Sequence, residues 1–271
     1  MGNSNKIFAS FIDKKLSLVK QCDFCLIPKI KTTEYFRSMY GDLPHTLDIP
    51  GVPTTFTVLQ DLVPIAEQGG HLLLIPNIHS ISLAAIRDKK GLSIARDVVL
   101  HSLRKYFPNN PIFIFEHGPG FLDGESIACG GCHLDHAHGH LLVLPKWSQL
   151  TPIKNRMEEV LSTYGWGIKN LNAIYSDEIF TNIAKNTGIN PYLHIGMVMP
   201  DSTRISLTYV QTIKSLNIPS QLLRIIISKI IYKQTSSTYW HWKDIQMGFV
   251  SPQRLKQLKR NIVVFRKITG F

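Results

Sequence analysis

Acidic side chains are in short supply: 19 Asp and Glu stand against 30 Lys and Arg, a formal net charge of +11. The deficit is local. Residues 1–150 carry 14 basic and 13 acidic residues, whereas residues 151–271 carry 16 and 6. A polyanion would be drawn to the second half, although scattered lysines more commonly serve solubility alone. Long apolar runs are also missing. The segment 222–232 is interrupted by Arg224 and Lys229 and falls short of the ~20 residues that span a bilayer. The first residues, Met1-Gly-Asn-Ser-Asn-Lys-Ile-Phe, lack the pattern of a secretory signal. Lys6 stands where a myristoylation signal carries Ser or Thr. These features predict a cytoplasmic protein with no membrane partner. Cysteine is scarce too. The 4 present fall into two pairs, Cys22-x-x-Cys25 and Cys129-x-x-Cys132, which point to metal or redox chemistry before structural disulfides.

What is present suits an ordinary globular chain. Hydrophobic residues make up 44% and charged residues 18%, and 271 residues can bury a sizeable core. Apolar periodicity predicts helices over 6–20, 92–106, 152–163, 177–187, 219–233 and 252–266. Strands are expected at 56–63, 71–76, 111–116 and 136–144, and a hairpin at 192–210 with Pro200-Asp-Ser-Thr as its turn. The strand at 71–76 is apolar on both faces, as a central strand would be. Residues 31–53 look irregular, with Gly41, Pro44, Pro50, Gly51 and Pro53 as breakers. No repeat of the first half is visible in the second.

The stretch that carries chemistry is Cys129-Gly-Gly-Cys-His-Leu-Asp-His-Ala-His-Gly-His-Leu-Leu-Val-Leu-Pro145. His136, His138 and His140 alternate with small residues. At a period of two, all three imidazoles would face one side of a strand that runs on into the core. A single histidine there would be read as a satisfied core residue or part of a His-rich metal tract; three in strict alternation point to a functional site.

With strand, helix, strand and histidine strand in this order, the chain resembles the histidine triad (HIT) superfamily. The triad stands as His136-Ala-His138-Gly-His140-Leu-Leu. A second matching segment is Leu59-Gln-Asp61-Leu-Val-Pro with Gly70-His71-Leu-Leu-Leu-Ile-Pro76-Asn-Ile-His79, and a third is the knuckle Cys22-x-Phe-Cys25. The resemblance covers about residues 18–148. It implies an α+β fold, a HIT-like antiparallel β-sheet of five strands flanked by helices, commonly dimeric. Here residues 1–150 would form that nucleotide-binding catalytic domain, and residues 151–271 a mixed, mainly helical basic C-terminal extension. The extension would complete the pocket within one chain, replace a dimer partner, or bind something else.

The activity implied is nucleotidyl transfer through a covalent nucleotidyl-histidine. That makes the chain a hydrolase or transferase acting on a nucleotide phosphoanhydride, phosphoester or phosphoramidate, with a nucleotide or nucleotide conjugate as substrate. His138 would be the nucleophile and His140 would bind phosphate oxygen or assist the leaving group. An imidazole suits attack because its free pKa of ~6.5 leaves it neutral near pH 7. Its phosphoramidate is labile once protonated, so one hard displacement becomes two easier ones. The far nitrogen must be held by a hydrogen bond that selects the tautomer.

By the same resemblance Cys22, Cys25, His79 and His136 would bind a structural Zn²⁺. Cysteine spacing alone also allows a set of Cys22, Cys25, Cys129 and Cys132. Asp61 would meet the nucleotide ribose, Glu116 lies where smaller family members carry an Asn-containing segment near the phosphate, and Gly130 and Gly131 would let backbone N–H groups approach it. His71 reads as a structural histidine at a strand start. Ser220 is a natural N-cap with Gln221 and Arg224 behind it, a first turn where an anion would be favoured.

Two further function classes compete. One is a nucleic-acid-binding or end-processing protein that uses the basic half, where Tyr239-Trp-His-Trp-Lys243 and Arg254, Lys256, Lys259 and Arg260 combine stacking surfaces with charge. The other is a low-turnover nucleotide sensor.

Overall fold

The structure is a computed structural model that describes residues 45–61, 64–122, 125–127, 136–163, 169–174, 190–211, 218, 221–234 and 252–269. Outside these fall Cys22, Cys25, Cys129, Gly130, Gly131, Cys132, Ser220, the Tyr239–Lys243 cluster, and the helices expected at 6–20 and 177–187.

The fold is α+β. Its strands are β1 (His45–Leu47), β2 (Phe56–Gln60), β3 (His71–Pro76), β4 (Ile112–Gly118), β5 (Gly120–Leu122), β6 (Glu125–Ile127), β7 (Gly139–Val143), β8 (Lys169–Ile174), β9 (Tyr192–Val198) and β10 (Arg204–Val210). Its helices are α1 (Lys89–Tyr106), α2 (Leu150–Thr163), α3 (Leu222–Ile230) and α4 (Pro252–Thr269). Eight strands form one antiparallel sheet in the order β1-β2-β3-β7-β4-β9-β10-β8, and β5 pairs with β6 in a small ribbon. β3, apolar apart from His71, lies inside the sheet between β2 and β7, and its six residues are buried. Two strands of the large sheet carry no clear sequence signal: β1 lies in the stretch read as irregular, and β8, Lys-Asn-Leu-Asn-Ala-Ile, is half polar.

The sheet runs without a break across residue 150. β9 pairs with β4 over seven residues, from Ile112 opposite Val198 to Gly118 opposite Tyr192. On one side of this seam the order is β4-β7-β3; on the other it is β9-β10-β8. The second half therefore repeats the first in topology, with no repeat legible in the residues. Phe115 pairs with His140, whereas Ile195, opposite Phe115, pairs with Leu207. Where the first half carries its histidine row, the second carries Thr203, Ile205 and Leu207.

Alternation along the strands sorts the side chains onto two faces. Phe56, Val58, Leu72, Leu74, Ile112, Ile114, Leu141 and Val143 face α1 and Phe265 of α4. Phe113, Phe115, Leu142, Ile195, Leu207 and Tyr209 face α2 and α3 through Ile153, Met157, Leu223 and Ile227. Each large aliphatic or aromatic side chain buried here stabilises the fold by roughly 1.5–3 kcal/mol. α1 begins where the Asp88 carboxylate accepts the Gly91 N–H at 2.8 Å and ends on Arg104 and Lys105, which suit the negative end of the helix dipole. No helix among the described residues is long and apolar enough to cross a membrane.

Candidate active site

The histidine row divides into two pairs. His138 and His140 lie edge to face with ring centroids 5.2 Å apart. His136 meets His79 instead, edge to face, at 5.2 Å. The split begins before β7, whose pairing starts only at Gly139; there the Ala137 N–H donates to Ser80 O at 2.6 Å and ties the row to the loop after β3.

The hydrogen-bond partners fix the neutral tautomers. The His136 carbonyl is an acceptor only, so His138, with Nδ1 at 2.9 Å from it, must carry its proton on Nδ1. Nε2 of His138 then holds a lone pair. Burial lowers the His138 pKa, against a partial rise from that backbone bond, so the ring is neutral near pH 7. His136 gives its Nε2–H to Pro76 O at 2.8 Å, which leaves Nδ1 as its basic nitrogen. Burial lowers its pKa to about 4.

His140 is held on several sides. One ring face stacks on Phe115, with centroids 4.2 Å apart and planes 4° from parallel. Its Nδ1 lies 3.1 Å from Nε2 of His71. The Ile65 N–H donates to Nδ1 of His71 at 3.3 Å, so the His71 proton is on Nε2 and points at His140. Nδ1 of His140 must then accept, and the proton of neutral His140 lies on Nε2. The two adjacent rings thus differ: His138 carries a basic Nε2 and His140 an Nε2–H donor. Burial holds both His71, at about 4, and His140, well below the ordinary value, in their neutral forms.

His71, expected as a structural histidine, is therefore part of this network. Asp61 joins it from the end of β2. Its Oδ2 lies 3.4 Å from His71 Nε2 and 3.5 Å from His140 Nδ1. Arg224 of α3 donates to Asp61 Oδ2 at 2.6 Å and to Oδ1 at 3.3 Å. Burial alone would raise the Asp61 pKa; Arg224, with His71 beside it, overrides it and holds the carboxyl well below the usual range. In place of the ribose contact that the resemblance implies for Asp61, both of its oxygens are engaged inside the protein. Asp61 Oδ2, His71 and His140 also lie close enough to share a metal ion, but the Arg224 guanidinium occupies that oxygen, and a cation there would face another cation.

Glu116 is on the other side of the sheet. Phe115 faces His140, so alternation turns Glu116 towards α1. It accepts the Leu83 N–H at 2.7 Å and the Tyr192 O–H at 2.5 Å. Tyr192 in turn accepts the Ala84 N–H at 3.0 Å, and Lys89 donates to the carbonyls of Leu83 and Ala84. Burial pushes the Glu116 pKa up to about 7, against the pull of these donors and Lys89. The placement corrects the expectation of Glu116 beside phosphate: it fastens the short 3-10 turn Leu83–Ala85 to the sheet. Gly118 belongs to the same clamp, since a Cβ there would run into the Tyr192 ring.

Asn261 of α4, which carries no sequence signal between Arg260 and Ile262, is fully buried behind the site. Its Oδ1 accepts the N–H groups of Gly70 and His71 at 2.8 and 2.9 Å, and its Nδ2 donates to His71 O at 2.9 Å and Asp61 O at 3.3 Å. The Arg224 signal is legible, a lone buried cation in Leu-Leu-Arg-Ile-Ile-Ile. The anion it meets at the helix start is an internal carboxylate. The N-cap position is Gln221, in a left-handed conformation with φ 69°.

No family model matches the sequence, and no curated protein matches it. Among solved structures, one described as the structure of a uridylyltransferase is similar over 83% of this chain and 94% of its own, with 11% identity and a TM-score of 0.38. That likeness is loose, and the chemistry of the site has to come from its own residues.

Proposed function

We propose that the chain is a nucleotidyl hydrolase or transferase that works through a covalent nucleotidyl-histidine on His138. The observation that carries this reading is the hydrogen bond from His138 Nδ1 to the His136 carbonyl. It fixes the one tautomer whose Nε2 can attack phosphorus, as the resemblance to the HIT signature leads one to expect. In the first step the Nε2–P bond forms as the P–O or P–N bond to the leaving group breaks, and the electron pair departs with that group. The positive charge gained by the imidazole is shared with the His136 carbonyl through Nδ1–H. His140, with its donor at Nε2, stabilises the phosphoryl oxygens by hydrogen bonding. Water or another acceptor then attacks phosphorus, and the N–P electron pair returns to His138.

The direct test is mass spectrometry of the full chain after brief exposure to a panel of nucleotide conjugates. The expected result is a mass increase of one nucleotidyl group that peptide mapping locates on His138. No adduct with any conjugate, or one on another residue, would overturn the reading.

Zinc fits this arrangement at the other end of the row. His136 is oriented through Nε2 by Pro76 O, the usual second contact of a metal-bound imidazole, so that Nδ1 is the nitrogen that would ligate a metal, and His79 lies against it. With Cys22 and Cys25 these would hold a structural Zn²⁺ that ties the N-terminal segment to β3 and β7. Elemental analysis is expected to find one zinc per chain. Cys22→Ser should lose it, while Cys129→Ser should keep it; the opposite result for Cys129→Ser would favour the four-cysteine set.

A second reading has its own observation. Over residues 256–269 of α4 the exposed residues are Lys256, Lys259, Arg260, Val263, Arg266 and Lys267, and the helix sequence contains no acidic residue. At 1.5 Å per residue these charges extend over roughly 16 Å, a strip suited to a phosphodiester backbone. If the substrate is a nucleic-acid end, affinity for a single-stranded oligonucleotide should fall with salt, with a log–log slope of roughly −3 for four to five phosphate contacts. A flat salt response would leave only the free-nucleotide reading.

A further inference from the structure

The part of the candidate site that the nucleotidyl-histidine chemistry does not use is the buried pair of Asp61 and Arg224. Three groups converge on one carboxylate oxygen: Arg224 at 2.6 Å, His71 at 3.4 Å and His140 at 3.5 Å. The other oxygen takes the second Arg224 nitrogen at 3.3 Å. Arg224 and Asp61 are about 5% and 4% exposed, so neither reaches a ligand without breaking the pair. A buried carboxylate deprived of its cation, or a buried guanidinium deprived of its anion, is strongly disfavoured. The pair therefore acts as a fixture.

We infer that Arg224, carried by the second half of the chain, is a positioning residue for phosphoryl transfer: it holds Asp61 as an internal counter-ion that orients His71, and through His71 fixes His140 as a hydrogen-bond donor at Nε2. The inference rests on the nucleotidyl-histidine reading and goes beyond it, because it gives Asp61 a role away from the ribose and gives the second half a share in the site. Four features converge on it. The fork of Arg224 meets both carboxylate oxygens, a geometry that lysine cannot reproduce. The Ile65 N–H at His71 Nδ1 leaves that ring one neutral tautomer, aimed between Asp61 Oδ2 and His140 Nδ1. The backbone on both sides of this pairing is held by Asn261, again from the second half. Finally, the second half has no histidine row of its own at β10, so it serves the site of the first half and forms no second one of the same kind.

The test compares full-length Arg224→Lys, Arg224→Gln and the double variant Asp61→Asn/Arg224→Gln with the natural chain. The probe is a chromogenic nitrophenyl ester of a nucleoside 5′-monophosphate. Arg224→Gln is expected to lower kcat about 100-fold, the scale of a misplaced catalytic group, with KM within about twofold of the natural value. Arg224→Lys should recover only part of the loss. The double variant removes both charges and should regain much of the melting temperature lost by Arg224→Gln, yet keep the low kcat. Full activity in the double variant would reduce the pair to a structural one. A rise in KM with kcat unchanged would return Asp61 to nucleotide binding. Nitrogen-15 NMR of the His140 ring is read in parallel: the natural chain should show Nε2 protonated, and Arg224→Gln a mixture of tautomers. An unchanged His140 spectrum in Arg224→Gln overturns the inference. If the natural chain forms no adduct, the parent reading fails, and the NMR result still decides whether Arg224 sets the His140 tautomer.

Discussion

Replacing His138 with Ala is expected to lower turnover by at least about 10⁴-fold and to abolish the nucleotidyl adduct, with little change in melting temperature. The size follows from what the ring supplies. Its Nε2 is a neutral nucleophile at pH 7 with no proton to lose, because the proton is committed to the His136 carbonyl 2.9 Å away. No neighbouring group replaces it. His140 presents a donor at Nε2, its other nitrogen faces His71 at 3.1 Å, and its ring is stacked against Phe115. Without His138, water would have to attack phosphorus directly. His138 is only partly buried, so the fold should tolerate Ala. His140→Ala removes one hydrogen-bond donor and should cost less, about 10²- to 10³-fold in kcat. The double variant should be no worse than His138→Ala alone, since a donor to the phosphoryl group is worth little once the attack on phosphorus is lost. Steady-state kinetics of the three variants check this. A His138→Ala protein that retains turnover would remove the residue from the chemistry altogether.

How much of this arrangement the sequence discloses depends on the range of the interaction. The apolar strand β3 and the amphipathic helix α1 are local patterns that appear where their periodicity puts them, whereas of the period-two histidines only His140 lies in β7 and His136 turns to His79 instead. The need for an acceptor behind His138 is also chemical logic of a few residues, and the structure supplies it from the backbone two positions away. What stays hidden depends on the sheet. Glu116 sits one residue from Phe115, and one residue in a strand is the difference between the His140 face and the α1 face. The partners of Asp61 are 10, 79 and 163 residues along the chain, and nothing in its own surroundings in sequence announces Arg224. The seam of β4 and β9 explains why no repeat is legible. Topology can persist where the residues have changed, with Leu207 pairing to Ile195 as His140 pairs to Phe115. The charge contrast between the halves conceals that they build one sheet: the basic excess lies on exposed positions such as those of α4, while the seam is made of apolar strands.

Those same buried histidines make the protein acid-labile in a defined window. His71 has a pKa lowered to about 4 and His194 to about 3, chiefly by burial; His136, as the proposed zinc ligand, is not counted with them. In the unfolded chain each would take up a proton near pH 6.5. A base whose folded pKa is depressed contributes stability that is fully present above the unfolded value, and that contribution is lost as pH falls towards the folded value. Between pH 6.5 and 4 each such histidine costs about 1.4 kcal/mol per pH unit once the unfolded form is charged. Glu116 opposes them. Its folded pKa of about 7 lies above the free value of 4.5, so the native state holds one extra proton through most of the window and gains stability on acidification. Two histidines against one carboxylate leave a net of about one proton taken up on unfolding, so lowering the pH from 6.5 to 5 should cost on the order of 2 kcal/mol. His138 and His140 are lowered in the same direction and add to the fall. Asp61 stays out of it, because its carboxyl titrates below the window. Melting temperature measured from pH 7.5 to 5 should therefore fall steeply, and two variants separate the contributions. His194 is on the α1 face of the sheet, away from His138 and His140, with Nδ1 at 3.0 Å from Thr208 Oγ1; His194→Gln should remove about one proton from the acid slope. Glu116→Gln should steepen it by about one, because the opposing group is gone. A melting temperature that stays level across this range would mean that burial does not depress these histidines, which would then take up their protons near pH 6.5 in the folded state as well.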